Sequence, residues 1–536
     1  MNTTRRRFLA SAAAGSLLLP GCVRRAGKAV PGSLVGPSAE RGHRLRAGQF
    51  PTPAREEKHA VVIVGGGVAG LAAARKLQQL GCGDFLLLEL EPEPGGNSRS
   101  GENSVSPYPW GAHYVTLPGE DATEVLELYE ELGLITGKNA DGLPVYEESA
   151  LVADPAERLF LNGRWQEDLL PTSGATGLDR GEFERFHALI TRFKAARGND
   201  GARAFTIPVD RSSTDPRFTA LDQITARQWL HSENLNSERL HWYLDYVCRD
   251  DFGGTIDQVS AWAAVHYFAS RNGRAANADP DVVLTWPNGN GWLIGQLRGP
   301  VAAKIRTRHM AWNVAPNSEG KVQIDAFDFE SNQSVRFQAN TAIVCTPWFV
   351  TRKIVQPLSR DPDFPLEYGP WVSANLTLRE LPSGPGFGPA WDNVFYNSRS
   401  LGYVVATHQS LAQPKGPTVI TWYAALCDGP AAAEREKAAA RSHAQWCEII
   451  LGDLRRVHPE IDGLVRNIDV CVWGHGMIRP VPGVLCHPQR KQMAQPAGAI
   501  HFAHSDLSGF SVFEEAYTRG VQAAKAAAHR LAPFSA

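Results

Sequence analysis

Residues 60–100 read AVVIVGGGVAGLAAARKLQQLGCGDFLLLELEPEPGGNSRS, and this stretch decides the fold. The apolar run Val61–Val64 reads as a buried strand. It meets the turn Gly65-Gly66-Gly67-Val68-Ala69-Gly70, and an alanine- and leucine-rich helix then continues to about Leu80. A second apolar strand, Phe85–Leu88, ends on Glu89. Strand, glycine turn, helix, strand and acid in this order begin a dinucleotide-binding βαβ unit. Gly65 permits the tight turn, Gly67 lets the backbone approach a pyrophosphate, and Gly70 lets the helix pack on the strand. The helix opens at Val68 and Ala69 with free N–H groups and the positive end of its dipole toward the phosphates. Glu89 can accept hydrogen bonds from a ribose diol. A glycine pattern alone is a weak signal, but here its neighbours on both sides agree with it.

At 536 residues the chain exceeds one compact core, so two interleaved domains are expected. Its 43% hydrophobic and 21% charged content is that of an ordinary globular protein, and a net charge of -2 gives no reason to expect a nucleic-acid partner. No apolar span reaches the length of a membrane helix. The eight cysteines are scattered (22, 82, 248, 345, 427, 447, 471 and 486) without a CxxC pair, so no metal site is expected. Most should be buried free thiols, with one disulfide left open by the sequence.

The N-terminal Thr4-Arg5-Arg6-Arg7-Phe8-Leu9 resembles the twin-arginine export motif, and a modest apolar stretch follows from Leu9 to Leu19. That route carries folded proteins, which suits a chain that loads its cofactor before export, and it implies the periplasm or cell envelope. Leu19-Pro20-Gly21-Cys22 resembles a lipoprotein processing site. A lipidated Cys22 would hold the protein on a membrane surface; removal of the signal, or its retention as a soluble tail, is the alternative. Residues 23–58 are rich in Arg, Gly, Pro and Ser without an apolar period, and are expected to be a disordered linker before a folded body that starts near His59.

Pro94-Gly95-Gly96-Asn97-Ser98 follows closely on Glu89, and Trp110-Gly111-Ala112-His113-Tyr114-Val115 comes next. Far along the chain, Ile500-His501-Phe502-Ala503-His504-Ser505-Asp506 reads as a strand ending on an acid, and Glu515-Ala516-Tyr517-Thr518-Arg519-Gly520 as the start of a closing helix. On these segments the chain resembles the flavin-containing amine oxidase superfamily, which includes monoamine and polyamine oxidases, protoporphyrinogen oxidase and phytoene desaturase. The resemblance implies an α/β fold: a Rossmann-like FAD-binding domain (59–119, 286–347 and 473–536) interleaved with an α+β substrate domain (120–285, mostly helical, and 348–472). It places Gly95, Gly96 and Asn97 near the diphosphate or ring, with Asn97 standing where the family carries arginine. It sends Gly111, Ala112 and His113 past the flavin ring and sets the Val314 backbone against adenine. Asp506 would hold the ribityl chain, with Phe513 and Ala516 at the closing helix beneath the isoalloxazine. That helix N-terminus would stabilise negative charge on reduced flavin. No Ser-Gly-Gly-Cys-Tyr-type attachment site is found, so FAD is expected to be non-covalent.

Between these segments, 122–134, 180–196, 226–230, 240–248, 260–269 and 431–457 read as helices, and 305–314, 322–327, 341–344, 372–378, 401–407 and 418–424 as strands. The aromatics of 240–268 are expected to be core or an apolar wall over the flavin. Asp250 and Asp251 suggest general acid chemistry, although a solvated loop or helix cap is the plainer expectation. Cys345 and His408 are expected to be structural, and Arg479 to face an anionic group. The expected reaction is hydride transfer from a substrate C–H bond to flavin N5 in an apolar pocket with few carboxylates, followed by reoxidation by oxygen or a quinone-linked acceptor. Two departures stand against a standard amine oxidase: 372–376 lacks the family's lysine, and neither Val512 nor Phe513 is its cage tyrosine. A desaturase- or porphyrinogen-oxidase-like enzyme and a non-catalytic FAD-bound envelope subunit remain open.

Overall fold

The computed structural model describes residues 30–356, 358, 366–410 and 415–531. The twin-arginine motif and Cys22 lie outside the described residues. Strand β1 (Arg55–Val64), helix α1 (Val68–Gln79) and strand β2 (Phe85–Leu88) open the cofactor domain. The chain then leaves for a mainly helical region that contains α2 (Glu238–Phe252) and α3 (Ala261–Ala269). It returns as the antiparallel strands β3 (His309–Pro316), β4 (Val322–Asp328) and β5 (Gln333–Val344). A second excursion makes β6 (Glu367–Leu378), β7 (Thr418–Ala425) and β8 (Val465–Arg479), and the chain closes with β9 (Ile500–Phe502) and α4 (Phe513–Leu531).

In the seven-stranded cofactor sheet, β1 lies between β2 and β5 and is parallel to both. The register aligns Leu88 with Val64, Val64 with Val344, and Val344 with Phe502. Four strands therefore finish side by side, which leaves a crevice beyond their carboxyl ends, where open α/β sheets bind ligands. The apolar run of β1 serves both faces of the sheet. Val61 and Ile63 pack with Leu71 of α1 and Val521 of α4, while Val62 and Val64 pack with Val314 and Phe337. Each of these buried side chains contributes about 1.5–3 kcal/mol relative to exposure. Two glycines set the helix packing. A Cβ on Gly70 would lie 1.9 Å from the Gly65 carbonyl oxygen, and one on Gly520 would lie 2.2 Å from that of Ala69.

The substrate domain is built on an eight-stranded sheet in which β6 pairs antiparallel with both β7 and β8. Helices α2 and α3 pack with Gly177–Ala195 around Phe186, Trp229 and Trp262. Among the described residues no helix is long and apolar enough to cross a membrane, and all seven described cysteines are free, five of them buried.

Four expectations change. Residues 30–58 are not a disordered linker: Leu34–Val35 pairs in parallel with Val470–Cys471 of β8, Ala39–Ala47 is a helix, and β1 already begins at Arg55. Helix α2 does not break at Arg249 but runs through Asp250 and Asp251 to Phe252, where Gly253 (φ 63°) ends it in the left-handed conformation typical after a helix. The helix expected over 431–457 is two helices, because Ser442 forms a capping box with Gln445 and starts a new one. Strand 305–314 is divided: Ile305–Arg306 pairs with β2, and β3 starts afresh at His309.

Candidate active site: a dinucleotide crevice and an adjoining acidic cavity

A cavity of about 1050 Å³ occupies the crevice at the strand ends. It is at the top of the range of about 300–1,000 Å³ usual for small-ligand sites, which suits an extended dinucleotide. Gly65 sits at φ 103°, a conformation that favours glycine, and turns the chain from β1 into α1. A Cβ on Gly67 would meet nothing within 4 Å, so this glycine opens directly on the cavity. Gly67 is also the N-cap of α1 and supplies no side-chain cap, so the first-turn N–H groups around Val68 and Ala69 are left for a ligand. Gly70 does not line the cavity; it is the contact point behind the turn.

Glu89 is half-buried in the wall. Its Oε2 accepts from the Gly66 N–H at 2.7 Å and its Oε1 from the Glu91 N–H at 2.7 Å. Burial pushes its carboxyl above the usual range, and these two N–H groups oppose that rise. Each carboxylate oxygen has a second lone pair, so both can still accept from ribose hydroxyls. Asp506 lies past the end of β9. Its Oδ2 accepts from the Tyr368 hydroxyl at 2.6 Å and the Trp348 N–H at 2.8 Å. Burial alone would raise the Asp506 carboxyl, but the adjacent His504 and these hydrogen bonds prevail and hold it low.

Gly95, Gly96 and Asn97 line the crevice, and Asn97 Nδ2 donates to the Gly476 carbonyl instead of offering a cation. The cation comes from Arg99, which sequence reading passed over although it follows by two positions. Arg99 lines the same cavity, its guanidinium lies 5.6 Å from the Trp473 ring centroid, and its buried Nε has no hydrogen-bond partner. An open glycine, an uncapped helix start and an orphaned guanidinium N–H all fit a diphosphate. Val314 is displaced from its expected place at adenine. The His309 N–H bonds the Glu89 carbonyl at 2.8 Å, so β3 runs away from the cavity after His309, Met310 and Ala311. Val314 is fully buried behind, in a bridge with Val355.

A second cavity of about 170 Å³ meets the first along Asn97, Ala112, Trp473, Gly476 and Phe513. Gly111 and His113 belong to this second cavity alone and Ala516 to the first alone. Tyr114, Tyr267, Trp371, Tyr423 and Phe510 make much of its wall. Among the described residues no lysine lines it, in line with the missing family lysine.

The expectation of few carboxylates fails here. The last turn of α2 delivers Asp250 and Asp251 into this cavity, neither as loop nor as cap. Arg271 Nη2 donates to both Asp251 oxygens (3.1 and 3.0 Å), and the Tyr114 hydroxyl donates to Oδ1 at 3.1 Å. The Arg271 guanidinium also lies 3.7 Å from the Tyr267 ring centroid. With Arg271 so engaged, burial first and the Asp251 charge second push the Asp250 carboxyl up to about 8. Behind them Asp392 is buried, accepts from the Tyr246 hydroxyl at 3.1 Å, and has its carboxyl raised by burial and by Glu157. His113 lies with its ring centroid 5.0 Å from that of Tyr423, and burial lowers it to about 4, so it is neutral above that pH. Its Nδ1 is 3.1 Å from the Gly111 carbonyl and must carry the proton, which leaves Nε2 as an acceptor.

Three other residues prove structural. Arg479 is 1% exposed and pairs with Glu367 at 2.6 Å and the Gly253 carbonyl at 2.7 Å, so it faces the protein's own groups and not a ligand anion. His408 Nε2 is 2.8 Å from the Ala153 carbonyl. Cys345 lines the crevice with its thiol pushed far up by burial, as inert packing requires.

Over residues 63–132 the sequence matches the NAD(P)-binding Rossmann-like domain family. A protein of Mycobacterium tuberculosis named "Putative flavin-containing monoamine oxidase AofH" is 29% identical over 219 residues, 40% of this chain and 41% of its own. The chain thus spans about two fifths of the length of that relative. Among solved structures, a redesigned double mutant of putrescine oxidase superposes with a TM-score of 0.64 at 16% identity, covering 88% of this chain and 99% of that one. Cyclohexylamine oxidase from Brevibacterium oxydans gives 0.61 at 17% identity over 89% and 100%. A fatty acid isomerase from P. acnes that produces CLA gives 0.60 at 15% over 87% and 97%. The chain has the two-domain α/β fold of these flavin amine oxidases, with a Rossmann-like domain at its start.

Proposed function

We propose that the protein is an FAD-dependent oxidoreductase that oxidises a C–H bond next to an amine nitrogen, with FAD held non-covalently. The observation that carries this reading is Asp250, a proton-holding carboxyl in an aromatic cavity that opens on the dinucleotide crevice. When bound, FAD supplies an acceptor for the hydride. The remaining work falls to the chain. Tyr423, Tyr267 and Trp371 surround the substrate carbon skeleton and exclude water. Asp251, paired with Arg271 and bonded by Tyr114, is held in one place beside Asp250 and fixes that end of the cavity. Asp250 in its ionised form takes the proton from the substrate ammonium, which leaves the nitrogen neutral for oxidation. A carboxyl with its pKa at about 8 matches that task better than one near 4. The first turn of α4 at Phe513 presents its dipole to the charge that develops at the junction of the cavities.

The amine oxidases among the structural relatives support this substrate class. Cys345, the cysteine among the described residues that lines the crevice, has its thiol held protonated, which favours non-covalent cofactor. The export reading belongs to the same proposal: FAD is loaded before transport by the twin-arginine route to the periplasm or envelope, with or without a lipid on Cys22, and oxygen or a quinone-linked acceptor reoxidises it. The test is the absorbance of the purified protein followed by anaerobic titration. Bound flavin that bleaches with putrescine or cyclohexylamine and not with a fatty acid is expected. Absence of flavin, or flavin that no amine reduces, would overturn the reading.

A further inference from the structure

We propose that residues 30–50 are a cofactor-retaining strap, fastened across the mouth of the dinucleotide crevice from one domain to the other; the inference rests on the FAD reading above. The strap starts on the substrate-domain sheet. Pro31 and Ser33 carbonyls accept from the N–H groups of Ile468 and Val470, both at 2.9 Å, and Ser33 bonds the Asp469 carboxylate at 3.0 Å. At Gly36 it lies against Cys471 and Val472. Two residues later it is on the cofactor domain: the Ser38 N–H donates to Glu91 Oε1 at 2.8 Å, and Arg41 pairs with Glu91 Oε2 at 3.1 Å. Helix Ala39–Ala47 then continues over the crevice, with Arg44 stacked 3.8 Å above the Phe327 ring and Phe50 stacked 5.1 Å from Trp312.

The crossing point is at the crevice. Pro37, Ser38 and Gly42 line the same cavity as the phosphate turn Gly65–Ala69, and Glu91 donates its own N–H to Glu89, the ribose acceptor. Arg46 and His43 also line it, on the side of Arg435 and His475, so the strap brings positive charge to a crevice built for an anion. Its fastening is slight. The helix buries no residue, and Leu34 and Val35 are 47% and 37% exposed. A segment held by a short ladder and a few polar anchors opens far more often than the core beneath it. Opening of this strap, not unfolding of the domain, is therefore the exit route for the dinucleotide.

The test is the rate of flavin release from the full-length holoprotein, followed by the rise of free-flavin fluorescence after dilution into a trap. Arg41→Ala removes one anchor on the protein surface and is expected to speed release about threefold to tenfold, the range for losing one ordinary hydrogen bond between partly exposed groups. A second variant works in the opposite sense. A Cβ at Gly36 would lie 3.0 Å from Cys471 Sγ, so Gly36→Cys, although its φ of 125° strains a side chain there, places a thiol for oxidation to a disulfide that locks the strap to β8. The locked protein should release flavin at least tenfold more slowly, and a reductant should restore the faster rate. Release at the parent rate in both variants would overturn the strap proposal while leaving the FAD reading intact. A parent protein that neither carries nor takes up flavin would overturn that reading and the strap with it.

Discussion

Asp250→Asn is the sharpest test of the acidic cavity, because it predicts a stability change with a definite sign against pH. In the folded protein Asp250 holds its proton to about pH 8, whereas an unfolded chain releases it near the usual 3.8. Between these values the folded state binds more protons, so stability falls as pH rises through this window and is flat outside it. At about 1.4 kcal/mol per pH unit, the upper bound on the fall is about 6 kcal/mol. Asp250 keeps part of its surface open to the cavity, and water there lowers the cost, so about 3 kcal/mol is the expected effect. Asparagine has the shape of the protonated acid and cannot ionise, so the variant should lack this part of the slope. Denaturant unfolding followed by tryptophan fluorescence at intervals from pH 5 to 8.5 measures it. The variant should exceed the parent by about 1 kcal/mol at pH 5, where part of the window is already crossed, and by about 3 kcal/mol at pH 8.5. Glu157, raised to about 7 by burial and by Asp168, itself raises Asp250, so the difference between the two proteins reads the coupled titration of this carboxyl group. Two parallel curves would refute the reasoning. With an amine substrate, the same variant should lose roughly a hundredfold or more in kcat/KM together with the limb of the profile that rises through about pH 8.

Arg99→Ala should weaken FAD binding by about tenfold to a hundredfold in equilibrium titration, since a charge-assisted hydrogen bond to an anion is worth about 1.5–3 kcal/mol; unchanged affinity would remove Arg99 from the site. Gly520→Ala places a Cβ 2.2 Å from the Ala69 carbonyl oxygen, so α4 must lift off α1. The expected cost is about 1–3 kcal/mol, read as a lowered unfolding midpoint, with flavin bound more weakly as the helix moves. Arg479→Ala leaves Glu367 and the Gly253 carbonyl without their buried partner and should destabilise by about 2–3 kcal/mol, and it should leave affinity for anions unchanged. His113 should show no ring titration by NMR between pH 5.5 and 9, because burial lowers it to about 4; a midpoint near 6.5 would mean that it is solvated.

What was legible in the sequence was whatever local pattern enforces. Val61–Val64 and Phe85–Leu88 are apolar because both faces of their sheet are covered, and Gly65 and Gly70 are glycine because a turn and a helix contact leave no room for a Cβ. Asp506 was singled out by the resemblance of residues 500–506 to the family's final strand, and the structure sets it in the crevice wall. The strap left no such trace. Its order comes from backbone pairing with β8, more than four hundred positions away, and from scattered contacts such as Arg44 on Phe327 and Phe50 on Trp312, so no apolar period marks it. Val314 failed for a related reason. Nothing in 305–314 tells which end of the strand meets the ligand; the hydrogen bond from His309 to Glu89 decides that, and it is a tertiary contact.

Asp250 and Asp251 form the instructive case, because local physics argued against the place where they are found. Carboxylates in the last turn of a helix oppose its macrodipole, each at a cost of about 0.3–1 kcal/mol. Adjacent like charges cost more, and burial adds to both. Sequence reading ended the helix at Cys248 and favoured a solvated loop or a helix cap for the pair over general acid chemistry. The protein keeps them in the helix, with Arg271, Tyr114 and the aromatic wall to offset those terms. Because every local term is unfavourable, the pair is not explained by folding, and a chain selected for stability alone would replace it. That conflict is itself the mark of a functional site: three local rules broken together at residues 250–251, with a compensating arginine twenty positions on. Restoring the local rules should then separate the two roles. Replacing Asp250 by asparagine should leave the helix intact, with more stability at high pH and less chemistry, the outcome a purely structural aspartate would not give.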